Sequence, residues 1–488
     1  PYSRRVAENP NTTPTHRTTM KRLLPLLLAT TSVSLAQTTA TKPAAPPPPP
    51  VPGFTLAPPP PAYTPIKYGG LTIDVQEKMR FEVRDNNFDF DSAANGPQDA
   101  SWLLQRFRLG LGYDVNPWMK FYIQGQDVRE LGGSRPNDIG TFGAEGDDSF
   151  DILKAYVQLG NPKKGLSATL GRQFLSYGDQ RLVGPLEWLN QARTFDAAKF
   201  RYTAPKYSLD FFVSSPVAFT NNMWNQSPFL DNDESLNVMF SGIYASTLFV
   251  PFNLTTDFYL FNKRDDGDAT FGPRLGDTDF YTVGTLWKGD PKKLAGWDYS
   301  TEMAYQFGKV SGRDLSALSG NWQAGYNWLT HPWKPRIGLQ YNYSTGDGDP
   351  NDGDLSTFQN LYPTNHLFYG YMDTTGWINM HNPQLNISFT PTPKLKVMLD
   401  YHLYWNANNA DAWYRVNGTT RVRPLNAAST GANSTFRGQE IDLTAIYKLN
   451  PHVALQAGYS YFIAGDYLKA TGAHSNAQFG YLQVQIDF

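Results

Sequence analysis

Leu482, Val484, Ile486 and Phe488 share one side of an extended chain, and Tyr481, Gln483, Gln485 and Asp487 share the other. Side chains alternate across a strand with period two, so this segment carries one apolar and one polar face. The same pattern stands near residue 71. There Leu71, Ile73, Val75, Met79, Phe81 and Val83 alternate with Thr72, Asp74, Gln76, Lys78, Arg80 and Glu82. Between these ends the chain repeats one unit: about ten alternating residues, a turn, about ten more, then a polar loop. A chain written this way needs apolar surroundings on one face of every strand and water on the other. No run of residues is apolar enough for a helical membrane span.

Read by period two, the chain holds a strand from 71 to 83, a final strand ending at Phe488, and sixteen between them. These lie near 101–114, 118–128, 149–160, 165–175, 197–204, 207–215, 236–249, 252–262, 277–288, 295–308, 317–330, 333–345, 377–390, 394–406, 435–449 and 452–465. Short links carry Asn116-Pro117, Asn161-Pro162, Pro205-Lys206, His331-Pro332, Pro391-Thr392-Pro393 and Asn450-Pro451. Proline suits such turns and interrupts a ladder elsewhere. Long links run near 84–100, 129–148, 176–196, 216–235, 263–276, 346–376 and 407–434. Lipid offers the backbone no hydrogen-bond partner, so an open sheet edge cannot persist in it. The expected fold is an all-β transmembrane antiparallel up-and-down β-barrel of about 18 strands, with short periplasmic turns and long extracellular loops. The 30 Phe, 28 Tyr and 12 Trp fit it, because Tyr and Trp settle at headgroup boundaries. A soluble propeller would need a repeat of about 40–50 residues with signature positions, and none is visible.

Composition narrows the chemistry. Lys+Arg number 42 and Asp+Glu 44, a net charge of −2, which excludes a strongly basic nucleic-acid binder. The absence of Cys excludes disulfides, thiolate metal sites and a Cys nucleophile. Met20 reads as the natural start, with residues 1–19 an upstream segment that is not part of the native protein. Lys21-Arg22, an apolar stretch from Leu23 and Ser34-Leu35-Ala36 make residues 20–36 a signal peptide. Residues 37–69, with the proline runs 46–50 and 58–61, read as a disordered periplasmic leader. Residues 70–488 are the barrel.

Alternation also assigns sides. Lys78, Arg80, Arg106, Arg108, Lys120, Lys154, Lys199 and Arg201 should face the lumen, against only Asp74 and Glu82 on the same early strands. On later strands Asp298, Glu302, Asp400, Glu440, Asp442 and Asp487 point inward with Arg336 and Lys396. A cluster of cations in a pore with low-dielectric walls attracts anions and sets selectivity. The competing reading is that opposed charges simply brace the wall.

Within the run 171–196, residues 176–196 are too polar and irregular for a strand. Gly171, Arg172, Gly178, Asp179, Arg181, Leu182, Val183, Gly184, Trp188, Asn190, Arg193, Phe195 and Asp196 in this run resemble the alginate export family of outer-membrane barrels. Residues 357–366, with Tyr369, Gly370 and Asp373, resemble it too. The resemblance implies an 18-stranded barrel that passes an anionic polysaccharide through an electropositive constriction, and it leans toward a monomer. Asp179, Arg181 and Arg193 then join the candidate pore-lining residues. Arg181 and Arg193 are either uronate contacts or struts that fix the loop. Trp188 reads as loop packing, with stacking on a sugar face the alternative.

Other chemistry is thin. The seven His show no metal-ligand spacing, and no nucleophile elbow or phosphate loop occurs, so no catalytic residue is assigned and the protein is not expected to be an enzyme. No cofactor is expected. Asp347, Asp349 and Asp352 form a weak calcium candidate whose spacing departs from the EF-hand loop. The expected partners are an anionic polysaccharide or sugar acid, outer-membrane lipid and lipopolysaccharide, and the barrel assembly machinery through the Phe488 strand. The expected location is the bacterial outer membrane. The leading functional expectation is export of an alginate-like uronate polymer. The alternatives are a porin for uptake of small anionic sugars, sugar acids or oligosaccharides, and a structural barrel whose loops act as an adhesin.

Overall fold

The computed structural model describes residues 65–86, 90–92, 100–133, 147–219, 224–227, 238–248, 254–266, 277–418, 421–423 and 434–488. The upstream segment, the signal peptide and the leader as far as residue 64 lie outside the described residues. Eighteen long strands follow one another in chain order. The first six are β1 (Leu71–Asp85), β2 (Ala100–Asn116), β3 (Met119–Leu131), β4 (Asp148–Asn161), β5 (Lys164–Gln173) and β6 (Phe195–Thr203). Next come β7 (Tyr207–Pro216), β8 (Val238–Thr247), β9 (Leu254–Asp265), β10 (Thr278–Gly289), β11 (Trp297–Val310) and β12 (Arg313–Asn327). The last six are β13 (Arg336–Ser344), β14 (Met380–Thr392), β15 (Leu395–Asn406), β16 (Phe436–Lys448), β17 (Val453–Ala464) and β18 (Ala477–Asp487).

Each strand pairs antiparallel with its sequence neighbours, and β18 returns to β1, with Asp487 opposite Gln76 and Gln478 opposite Asp85. Val75 and Phe488 exchange two backbone hydrogen bonds of 2.8 Å at this seam. Closure satisfies every ladder and leaves no edge in the membrane. The side assignment follows the period. On β1, Met79, Phe81 and Val83 are 41–47 % exposed on the outer wall, whereas Lys78, Arg80 and Glu82 are 0–2 % exposed inside. Exposed Trp118, Trp297, Trp328 and Trp333 lie at or beside the short-turn rim, where an amphipathic ring is at home.

Four details differ from the sequence reading. Ile66–Tyr68, placed in the leader, pairs with Leu71–Ile73 across Gly69-Gly70, so these leader residues join the sheet. Gly69 takes φ +58°, which glycine adopts without strain. The expected outer connection between 308 and 317 shrinks to Ser311-Gly312, both at positive φ, as a two-residue hairpin turn with right-handed strand twist requires. Pro383 sits inside β14, within the expected strand 377–390, against the general rule that proline interrupts a ladder. It cannot donate to Leu403 of β15, and the Asn382 side-chain amide donates to that carbonyl at 3.0 Å instead.

The fourth concerns the aromatic residues. Phe212, Phe240, Tyr244, Tyr259, Phe261 and Phe280 point inward, not to the headgroup boundary, and are buried in one apolar cluster. Their partners are Leu182 and Val183 from the link 174–194 and Phe358, Leu361, Tyr362, Phe368 and Tyr369 from the link 345–379. Both links fold down into the barrel. The apolar wall of β7–β10 is therefore a floor for loops.

Candidate functional site

The two inward loops pair with each other before they meet the wall. Tyr362 donates its backbone N–H to Leu182, Gly184 donates to Tyr362, and Thr364 donates to Gln180, at 2.8–2.9 Å. Gly184 leaves no room for a side chain, since a Cβ there would stand 2.3 Å from the Thr364 hydroxyl. The link 407–435 supports the pair from above, with Asn360 and Asn365 side-chain amides donating to the Val416 carbonyl. Asp411 accepts from the Thr357 hydroxyl at 2.6 Å.

The sequence-predicted loop residues take these places. Arg181 is 2 % exposed, donates to Asn342 Oδ1 at 3.2 Å and Gln340 Oε1 at 3.3 Å on β13, and stacks 4.0 Å from the Phe368 ring centroid. Arg193 donates to the carbonyls of Gly184 and Pro363, and burial pushes its pKa down to about 10. Of the two readings left open, these contacts are those of struts. Asp179 forms an ion pair with Lys288 of β10 and accepts from Ser300. Trp188 has the Arg80 guanidinium 3.8 Å from its ring centroid and His366 stacked at 3.7 Å. Two groups that close to one ring must occupy its two faces, which leaves no face for a sugar.

The tip of the first loop, residues 187–191, crosses the lumen and lands on the basic wall. Lys78 Nζ donates to the carbonyls of Glu187 and Trp188, and Arg80 donates to Trp188 O at 2.7 Å. Arg106 donates to the carbonyls of Glu187, Leu189 and Asn190. Arg108 donates to both Glu187 carboxylate oxygens at 2.9 and 3.1 Å, and Arg106 lies 3.3 Å from one of them. Inward-facing cations on β1 and β2 are thus brought together, and they hold a loop rather than lining open water. Burial alone would raise the Glu187 carboxyl. The Arg108 and Arg106 guanidiniums and the Lys154 ammonium outweigh it and hold the group well below the usual carboxylate range.

Below the tip lies a cavity of about 630 Å³, walled by Lys78, Arg106, Arg108, Lys154, Glu187 and Trp188 and extending to Lys448, Gln485 and Asp487 toward the short-turn rim. Lys154 reaches into it with its ammonium 3.9 Å from the Phe174 ring centroid. The other predicted cations stand apart. Lys120 lies beside Tyr122, 5.9 Å from its ring centroid. Lys199 and Arg201 are on β6, where Arg201 pairs with Asp210 at 3.2 Å. The eight cations therefore form a cluster of five on β1, β2 and β4, a pair on β6 and a separate Lys120, rather than one continuous wall. Sequence reasoning did not single out Glu187. The signal was present, since it is an acidic residue in the middle of the inserted segment.

The three residues of the calcium candidate make the following contacts. Asp347 pairs with Arg313, while Asp349 and Asp352 each accept a backbone N–H two residues onward. Among the described residues no three carboxylate or imidazole groups converge as metal ligands.

The fold has solved counterparts. Residues covering 86 % of this chain superpose on 98 % of OccK5 (OpdH) of Pseudomonas aeruginosa, with a TM-score of 0.55 and 12 % identity. The outer membrane protein opdK of the same organism gives the same figures. OccK11 (OpdR), also from P. aeruginosa, matches 86 % of this chain over 96 % of its own at a TM-score of 0.53 and 11 % identity. No curated protein sequence matches. The family model described as Alginate export matches residues 70–481, and the chain belongs to that family of bacterial outer-membrane barrels.

Proposed function

We propose that this outer-membrane channel passes an anionic, uronate-containing polysaccharide along the cations of β1, β2 and β4, in the direction of export. The observation that carries the reading is the convergence of Lys78, Arg106, Arg108 and Lys154 on one cavity beneath the loops. Such a cluster replaces the counterions of a polyanion one carboxylate at a time. Each contact stays weak because other cations stand near, so the chain can leave as well as enter. Binding by two guanidiniums also suits the planar carboxylate better than a point charge would. Family membership supports polysaccharide passage in general.

The test is reversal potential in planar bilayers across a salt gradient, followed by Arg106→Gln with Arg108→Gln. The intact channel prefers anions and the double variant loses that preference. Cation preference in the intact channel would overturn the proposal. Uptake of small sugar acids instead of export would show as unchanged polymer secretion on deletion of the gene.

A further inference from the structure

We infer that Glu187 is a resident carboxylate occupying the position at which a passing uronate binds, and that it sets the channel's affinity by being displaced. The inference rests on the anion-channel reading above and adds a residue to it. The geometry is that of a filled anion site. Arg108 grips both oxygens of the Glu187 carboxylate, at 2.9 and 3.1 Å, and Arg106 stands 3.3 Å from one of them. Both arginines are fixed from behind: Arg106 donates to Gln76 Oε1 at 2.7 Å and Arg108 Nε to Gln126 Oε1 at 2.7 Å. The receiving groups are therefore aimed before any solute arrives.

The occupant differs from the other anions of the cavity. Asp74 is held on its strand by Tyr122 and Gln124, and Asp487 by Gln76 and Gln485. Glu187 alone of these three comes from a loop. Its side chain is 42 % exposed to the cavity although the arginines that hold it are 2–4 % exposed. A solute carboxylate in the cavity can thus approach the same guanidiniums from the open side. The Glu187 carboxylate is not the only hold on the loop, because Lys78, Arg80 and Arg106 also hold the backbone carbonyls of 187–190.

Displacement exchanges one carboxylate for another, so the two guanidiniums are never left without an anion. That lowers the cost of both entry and exit relative to an empty pocket of bare cations. A site blocked by its own residue for about nine-tenths of the time binds its ligand about tenfold more weakly than the vacant site would. The consequence suits a channel, where tight binding would stop transport.

The experiment measures block of ionic current by D-glucuronate, with D-glucose as the neutral control, in planar bilayers holding the full-length protein, Glu187→Gln or Glu187→Asp. Glutamine keeps the size of the side chain and removes its charge. Glu187→Gln is expected to raise the apparent affinity for glucuronate about tenfold, with glucose inactive. Glu187→Asp, which keeps the competing charge, is expected to stay near the starting value. Unchanged or weaker glucuronate affinity in Glu187→Gln, in a channel whose unaltered form is anion-selective and blocked by glucuronate, would overturn the inference alone. Cation preference and indifference to glucuronate in every form would overturn the anion-channel reading, and this inference with it.

Discussion

The Trp188 indole lies flat on the His366 imidazole, with ring centroids 3.7 Å apart and planes 10° from parallel. Trp188 belongs to the loop after β5 and His366 to the loop after β13, so the stack joins two segments that are remote in sequence. His366 is in turn bound to Asp373 at 2.8 Å, and Arg80 of the wall covers the other face of the indole. The stack makes one body of both loops and fastens it to β1.

Trp188→Ala is therefore expected to loosen the loop tip without opening the barrel. An aromatic stack contributes about 0.5–1.5 kcal/mol and a cation–π contact a similar amount. Together they would shift the opening equilibrium of the tip by about tenfold or more. Proteolysis within 186–191 should speed up and mean conductance should rise, while the folded barrel keeps its heat-resistant gel mobility. Unchanged cleavage would mean that the carbonyl contacts to Lys78, Arg80 and Arg106 suffice by themselves.

Gly184→Val tests the pairing between the loops. The added side chain would meet the Thr364 hydroxyl and the Gln180 side chain within 3 Å. Separation of Gly184 from Tyr362 removes a backbone hydrogen bond in the middle of the two-loop unit. The expected result is a larger and noisier channel. A conductance equal to that of the unaltered protein would show that the loops reach their place without this bridge.

Much of the barrel was legible because lipid enforces a rule on every strand. Met79, Phe81 and Val83 can face outward only if Lys78, Arg80 and Glu82 face inward, and that parity needs no knowledge of the rest of the chain. The strand ladder and the lumen-facing side of the cations followed from it. The state of those cations did not. Whether Arg106 meets water or the carbonyl of Leu189 depends on a loop that returns from the far wall, and no local pattern encodes that return. The inward aromatic cluster was not foreseen for the same reason: Phe240 and Phe261 obey the alternation, yet their destination is set by Tyr362 across the lumen. Arg181 and Arg193 were left between two roles because a guanidinium suits a uronate and a backbone carbonyl equally well. Only the neighbours decide.

Arg181→Met separates those roles in practice. The guanidinium holds Asn342 and Gln340 of β13 and lies on Phe368. Methionine keeps much of the packing and removes the donor to the buried Gln340 Oε1, at about 1–3 kcal/mol, while Asn342 Oδ1 keeps its bonds from the Asn321 and Gln340 amides. The expected result is a less firmly seated loop, seen as faster proteolysis, with anion preference retained because Arg106 and Arg108 remain. Loss of anion preference with normal loop protection would make Arg181 a contact for the permeating anion instead.

Acid should weaken the docking of the loop tip, and the sign follows from Glu187. Its carboxyl is held below the usual range when docked, because the Arg108 and Arg106 guanidiniums and the Lys154 ammonium outweigh the effect of burial. A group depressed in one state stabilises that state fully above the carboxyl's ordinary pKa, about 4.3, and ceases to do so as pH falls through the depressed value. From about pH 8 to about pH 5 docking is therefore constant in this respect, and only below about pH 4 does the Glu187 contribution drain away. The expected trace is a flat conductance through the neutral range with a rise on the acid side. Other carboxylates also titrate there, so the comparison that isolates Glu187 is with Glu187→Gln, whose acid rise should be smaller because its tip has no charge to lose. A neutral-range change that disappears in Glu187→Gln would mean that the docked carboxyl is not depressed, and that its pairing with Arg108 is weaker than the short contacts imply.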